Sequence, residues 1–460
     1  SSAASDVYKR QGSWLSDGKA AMSSHKYPRE RLISFFGRAN YSYKDRYMLT
    51  GSVRHEGSSK FGKNHRWGTF WAVSGGWRIS NEAFLRDVSF LDDLKVRVGY
   101  GVTGNNNFSA GASTAMYSSN SMWPYNGTWI TSYGPARNVN YDLHWEKKAE
   151  LNIGLDYAFL NNRLFDIYKR RVSGMLYNIN VPNPPAVYET TTMNYGNLEN
   201  TGWEFEIGGV PVKTRNFNWT TTMRLSHSSS KITSLWGNNT YQDRVGFPSP
   251  GTNGSAGRIE AGTKIGSYYI WKYAGITDNG RWLLYDKNDN VILSDKKTYD
   301  DKRYIGNAIP ALMVSWDHTF TYKNLSLGIN LRSWIDFDVF NTINMYYGLS
   351  EVAGQNVLRN AYIDNRHIKE VKQLCDYWLE DGTFLKIDAI SLGYSLNMKK
   401  WQKYIDKIDL YLTVRNVACF TKYSGLNPEV NVNGLDPGYE WFNNIYPETR
   451  RYTVGMKIQF

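Results

Sequence analysis

Apolar and polar residues alternate with a period of two along most of the chain, and helical spacing is nearly absent. Leu94, Val96, Val98, Tyr100 and Val102 share one face of a run whose other face is Lys95, Arg97, Gly99 and Gly101. Successive side chains of an extended chain point to opposite sides, so this pattern predicts a strand with one greasy face. Leu151, Ile153, Leu155, Tyr157 and Phe159 repeat it against Asn152, Gly154, Asp156 and Ala158. So do Leu325, Leu327, Ile329 and Leu331 against Ser326, Gly328, Asn330 and Arg332. Near Ala389 the apolar parity changes, from Leu385 and Ile387 to Ile390, Leu392 and Tyr394, which predicts a β-bulge. The pattern as a whole predicts roughly 14 strands of about 9 to 11 residues, the length that crosses a bilayer when tilted. The longest connections are expected near Asn105 to Asp142, Trp236 to Tyr268 and Trp334 to Tyr377, all rich in Asn, Gly, Ser, Tyr and Trp.

Composition changes this picture only in places. No run of about 18 apolar residues occurs, which excludes a membrane-spanning helix and leaves spanning strands untouched. The net charge of +12 raises the possibility of a nucleic-acid partner, but the 54 basic residues form no block of like charge and no nucleic-acid motif follows. Cys375 and Cys419 are too few for a disulfide framework. Glu204 and Glu206 lie two apart on one strand and so project from one face, whereas a glycosidase needs carboxylates on opposite sides of the bond. The histidines, among them His55, His144 and His227, have no metal-ligand spacing, so no catalytic residue, cofactor or metal is expected. Ser1 to Gly12 reads as a non-native leader, leaving residues 13–460 as one unit that begins in mid-protein.

Alternation alone also fits a soluble sandwich or propeller. The last ladder tips the balance toward a membrane barrel. Tyr452, Val454, Met456, Ile458 and Phe460 alternate with Thr453, Gly455, Lys457 and Gln459, and no polar tail follows. This resembles the closing strand of an outer-membrane barrel, the strand read by the barrel-insertion machinery. The expected fold is therefore all-β, a transmembrane antiparallel β-barrel wall.

Several segments then resemble one family in order. Gly37 to Leu85 carries an RxDGSSxF-like turn as Arg54-His55-Glu56-Gly57-Ser58-Ser59-Lys60-Phe61, followed by LKVRVGYGVTGN from Leu94. ENTGWEFEIG from Glu199, EDGTFLKIDAISLGYSL from Glu380, LTVRNVACFTKYSGLNPEV from Leu412 and YPETRRYTVGMKIQF at the end complete the series. Together they are similar to the SusC/RagA family of TonB-linked outer-membrane transporters. Trp71 replaces a usual Pro and Asn427 a usual Asp. The acidic segment DKNDNVILSD from Asp286 has Val291 where a calcium loop needs Gly and Lys297 where it needs Glu.

The resemblance implies the C-terminal portion of a 22-stranded barrel in the outer membrane of a Gram-negative bacterium, without the plug and the TonB-contacting segment. It implies active import of an oligosaccharide or peptide, with TonB, a SusD-like surface lipoprotein and outer-membrane lipid as partners. Sugar rings stack on aromatic faces, so Trp123, Tyr125, Trp129 and Tyr133 are the candidate substrate contacts, with Trp236, Trp271 and Trp441 behind them. The competing expectation is a secreted β-rich protein that binds or degrades glycans.

Overall fold

The computed structural model describes residues 30–459, apart from 86–87, 89–90, 109–110, 115–116, 159–161, 238–240, 247–253, 352–355, 399–403, 431–433 and 441–445. Among these residues, thirteen strands form one antiparallel sheet. They are β1 (Leu32–Tyr43), β2 (Tyr47–Ser58), β3 (Trp67–Arg78), β4 (Asp93–Asn105), β5 (Glu146–Ala158), β6 (Asn162–Asn180) and β7 (Thr190–Lys213). After these come β8 (Phe217–Leu235), β9 (Leu312–Tyr322), β10 (Leu325–Ile335), β11 (Phe384–Asn397), β12 (Lys407–Thr421) and β13 (Arg451–Gln459). Each pairs with its neighbour in sequence, so the sheet is an up-and-down meander with β1 and β13 at its edges.

The two ends of the meander differ. Residues 44–46, 214–216 and 323–324 close tight turns at one end, helped by left-handed backbone at Lys44, Asp45 and Lys323. At the other end the chain leaves the sheet for 106–145, 236–311, 336–383 and 422–450. Short turns on one side and long decorated connections on the other are the layout of an outer-membrane barrel.

The two faces differ as well. Val98, Ile153 and Ile167 sit in register across β4, β5 and β6 and are 46%, 39% and 41% exposed. Arg97, Asn152, Gly154 and Asp166 occupy the opposite face of the same strands. A wide band of exposed aliphatics is untenable against water and is what lipid requires. The bulge expected near Ala389 is present: Asn330 pairs with Ala389 and Leu331 with Ile387, so Asp388 is passed over.

Among the described residues the wall has 13 strands, in keeping with the roughly 14 that the alternation predicts, while short apolar runs such as Ser267–Ile270 and Trp282–Tyr285 pair locally within a connection. Two expectations change. Strand length is greater: β6, β7 and β8 have 19, 24 and 19 residues. At ~3.3 Å per residue, 24 residues reach about 80 Å, far beyond a bilayer core of roughly 30 Å. Register shifts at Val172/Met175 and Ile232/Ser234 mark the point of departure, with Gly174 at φ +63° supplying the left-handed residue that the first one needs. Above them Ile179, Tyr195 and Ile232 bury against Ile259 and Ile265. Finally, the connection expected to end near Tyr268 continues to 311, and a further one spans 422–450.

These connections build a body of their own. A four-stranded sheet, two three-stranded sheets and the short helix Thr342–Tyr347 surround a core in which Tyr268, Trp282, Leu284, Phe340, Leu374 and Trp378 are fully buried. Lys302 is drawn into this body. Its Nζ lies 4.4 Å from the Trp271 ring and 4.6 Å from the Tyr299 ring and donates to the Ser255 carbonyl at 2.7 Å. Burial pushes its pKa down to about 7; Arg258 and Lys297 act the same way, while Asp243 opposes them.

An unfolded lysine titrates near 10.4, so between pH ~7 and ~10 the unfolded chain binds the extra proton and stability rises with pH. Below pH ~7 both states are protonated and the full penalty stands. The thermal midpoint of the loop body, read by tryptophan fluorescence on the full-length protein, is expected to rise from pH 6 to pH 9. In Lys302→Met that slope should flatten, and an unchanged slope would assign it to another group.

Candidate functional site at the mouth and inner wall

The hairpin Tyr117–Tyr125 and Thr128–Pro135 rises from the connection after β4. Asn126 and Gly127 both have positive φ, at 50° and 74°, which is the two-residue turn whose twist suits a hairpin. Its register pairs Trp123 with Ile130 and Pro124 with Trp129. Trp123 and Tyr125 therefore share one face with Ile130, and Trp129 lies on the other with Met122 and Pro124. Trp123, Tyr125 and Trp129 are 64%, 64% and 65% exposed.

The expected aromatic cluster thus presents two surfaces, because across a two-residue turn residues an even number apart, such as Tyr125 and Trp129, fall on opposite faces. The backbone of Tyr133 continues the second strand. Asn138 fastens the base of this connection, its amide donating to the carbonyls of Tyr188 and Thr190 at 2.7 and 3.0 Å while its oxygen accepts from the N–H of Val187 and Tyr188. That staple has no periodic signal in the sequence.

The weaker candidates diverge. Trp236 is exposed, whereas Trp271 is a core residue whose indole N–H donates to the Thr298 carbonyl at 2.9 Å, so it offers no platform. Trp441 and Phe460 lie outside the described residues. Tyr452, Val454 and Met456 stand exposed on β13 in register with Val414, Leu412 and Leu410 of β12. In the acidic loop, Asp286 accepts from the N–H groups of Asn288 and Asn290, both at 2.8 Å, so its carboxylate closes the turn.

The inner face carries a ladder of ion pairs that periodicity alone did not reveal. Arg97 holds Asp156 at 2.8 Å and Asp166 at 3.2 Å; Arg224 holds Glu206 and Asp317, both at 2.7 Å. Glu206, one of the two adjacent strand carboxylates, is thereby a partner in the wall. Higher up, Arg332 grips Asp388 at 2.8 and 3.1 Å and also Glu429. Lys386 joins Glu429 at 3.3 Å to Glu448 at 2.5 Å. This last group ties the wall to the connection 422–450. Beside it lies a pocket of about 540 Å³ on the inner face of β10 to β13.

The family model described as "TonB dependent receptor-like, beta-barrel" matches residues 4–417. The chain belongs to this TonB-dependent receptor family. Among curated relatives it is 31% identical to TonB-dependent receptor SusC of Bacteroides thetaiotaomicron over 455 residues, covering 94% of this chain and 44% of that protein. It is 27% identical to TonB-dependent receptor P39 of Formosa agariphila, covering 93% of this chain and 46% of the relative. The chain thus spans about half the length of the curated relatives it matches.

A structure of the RagAB peptide transporter superposes with a TM-score of 0.78 at 24% identity, over 97% of this chain and 50% of that one. The RagAB peptide importer in its closed-closed state gives 0.79 at 24% identity, over 93% and 48%. The sheet is therefore a section of barrel wall, its apolar side the lipid face of an outer-membrane barrel and its charged side the lumen.

Proposed function

We propose that the chain forms the lumen wall and outer mouth of a TonB-dependent importer of an oligosaccharide or peptide. The observation that carries this reading is the two-faced wall: an exposed aliphatic band on one side, an ion-paired polar ladder on the other, and long connections gathered at one rim. The TonB-dependent receptors among its relatives support the energy source, and the RagAB structures, described as those of a peptide transporter, support a peptide as one class of cargo. A SusD-like lipoprotein seated over the mouth would hold cargo against the loops. Tyr452, Val454, Met456, Ile458 and Phe460 serve as the strand read by the barrel-insertion machinery.

Deleting the full-length gene is expected to abolish growth on the cargo and to remove a heat-modifiable band from the outer-membrane fraction. Recovery of the protein from the culture supernatant would instead favour a secreted glycan-binding protein. Within the mouth, Trp123 and Tyr125 offer one stacking face. Trp123→Ala and Tyr125→Ala are expected to raise the KM for uptake of a glycan cargo about 5- to 10-fold, ~1 to 1.4 kcal/mol. Trp129→Ala, on the other face, is the internal control, and an equal effect from all three would argue against a single stacking face.

A further inference from the structure

On this inner wall Arg97, Arg170, Arg224 and Arg332 each hold at least one carboxylate within 2.9 Å, while Arg38, in the row of Arg170, donates to the Asn40 side chain instead. Arg415 of β12 and Arg451 of β13 stand together without a carboxylate. They are directly opposite each other in register, both are exposed, and neither has an acidic partner among the described residues. Like charges facing across a strand pair are destabilising unless something negative lies between them.

Both line the 540 Å³ pocket, together with Asn330, Ser391, Thr413 and Asn416. Asp388 lines the pocket too, but its carboxylate is already held by Arg332 at 2.8 and 3.1 Å. The pocket also sits where the ladder is deliberately broken. Ala389 pairs with Arg415 and Ile387 with Ala418, and Asn416 adopts φ +52° in the extra stretch. Bulges of this kind re-aim side chains beside functional sites.

We infer that this pocket is a carboxylate-binding subsite on the import path, taking the acid group of a uronate sugar or of an acidic peptide. The inference rests on the importer reading above and narrows its cargo. A guanidinium fork matches a carboxylate in two parallel hydrogen bonds, and the Ser391 and Thr413 hydroxyls, bonded to each other at 3.1 Å, leave one O–H free as a neutral donor.

The test uses the full-length transporter and two matched probe pairs: trigalacturonate against its methyl ester, and a glutamyl tripeptide against its glutaminyl twin. At least one acid form is expected to bind ten or more times tighter than its neutral twin, and the pair that shows it identifies the source of the carboxylate. Arg415→Gln and Arg451→Gln should each erase that preference, with Arg415→Lys and Arg451→Lys keeping part of it. Heat-modifiable migration checks that every variant folds. Equal binding of both twins, binding of neither, or a preference that survives the substitutions overturns the subsite; a carboxylate supplied by the rest of the polypeptide would give the first result. Loss of uptake on gene deletion without acid preference sinks the subsite and leaves the importer standing. Deletion with no loss of uptake overturns both.

Discussion

Trp282→Ala is expected to cost the loop body about 3–5 kcal/mol, the range for emptying a large aromatic from a packed core. Trp282 is 0% exposed, and its ring meets Tyr273, Tyr377 and Trp378 with centroids 5.9, 5.3 and 5.7 Å away. Its indole N–H donates to the Val371 carbonyl at 3.0 Å, so the substitution also strips a buried acceptor of its partner. The connections 236–311 and 336–383 meet at this residue, and among the described residues the other clusters they join, around Ile259 and around Phe337, are smaller.

The expected result in the full-length protein is loss of the loop tryptophan unfolding transition at a denaturant concentration where wild type retains it. The barrel wall should keep its heat-modifiable migration. Trp236→Ala, at an exposed position of the same connection, should change stability by less than about 0.5 kcal/mol. If the two substitutions behave alike, the loop body is not an independently packed unit.

The wall was legible in the sequence because its physics is local. Each strand has one lipid face and one polar face, so period two reports the environment directly, and the parity change at Ile387 to Ile390 located the bulge at Asp388 to within a residue. The loop body was illegible because its core joins residues such as Tyr268, Trp282 and Trp378 that are far apart in sequence. Nothing in the spacing of an aromatic within a connection says whether it meets solvent or another connection, so buried Trp271 and exposed Trp236 look alike in the sequence.

The hairpin lies between these cases. Its Asn126-Gly127 dipeptide specifies a two-residue turn, and that turn alone puts Tyr125 opposite Thr128 and Trp123 opposite Ile130. The split of the aromatics between two faces is therefore implicit in the sequence. The ion ladder was half legible: the inward face was evident, but Arg97 meeting Asp166 or Arg332 meeting Glu429 depends on strand order and on a returning loop.

Ile153→Arg tests the lipid face itself. Ile153 lies well inside β5 between Val98 and Ile167, and all three side chains are exposed on the same side of the sheet. A guanidinium placed there must enter hydrocarbon, thin the bilayer or pull the strand out of register, at a cost of about 2–4 kcal/mol near the midplane of a barrel wall. Asn152→Arg, one residue away, points into the lumen between Gly99 and Tyr168, where water and neighbouring carboxylates receive the charge. The expected result is a large drop in the urea midpoint of the full-length protein in lipid vesicles for Ile153→Arg, with little change for Asn152→Arg. A soluble β protein would reverse nothing by this swap, because an exposed Ile replaced by Arg in water is neutral or stabilising. Equal midpoints for the two variants would remove the membrane from the explanation of the exposed aliphatic band.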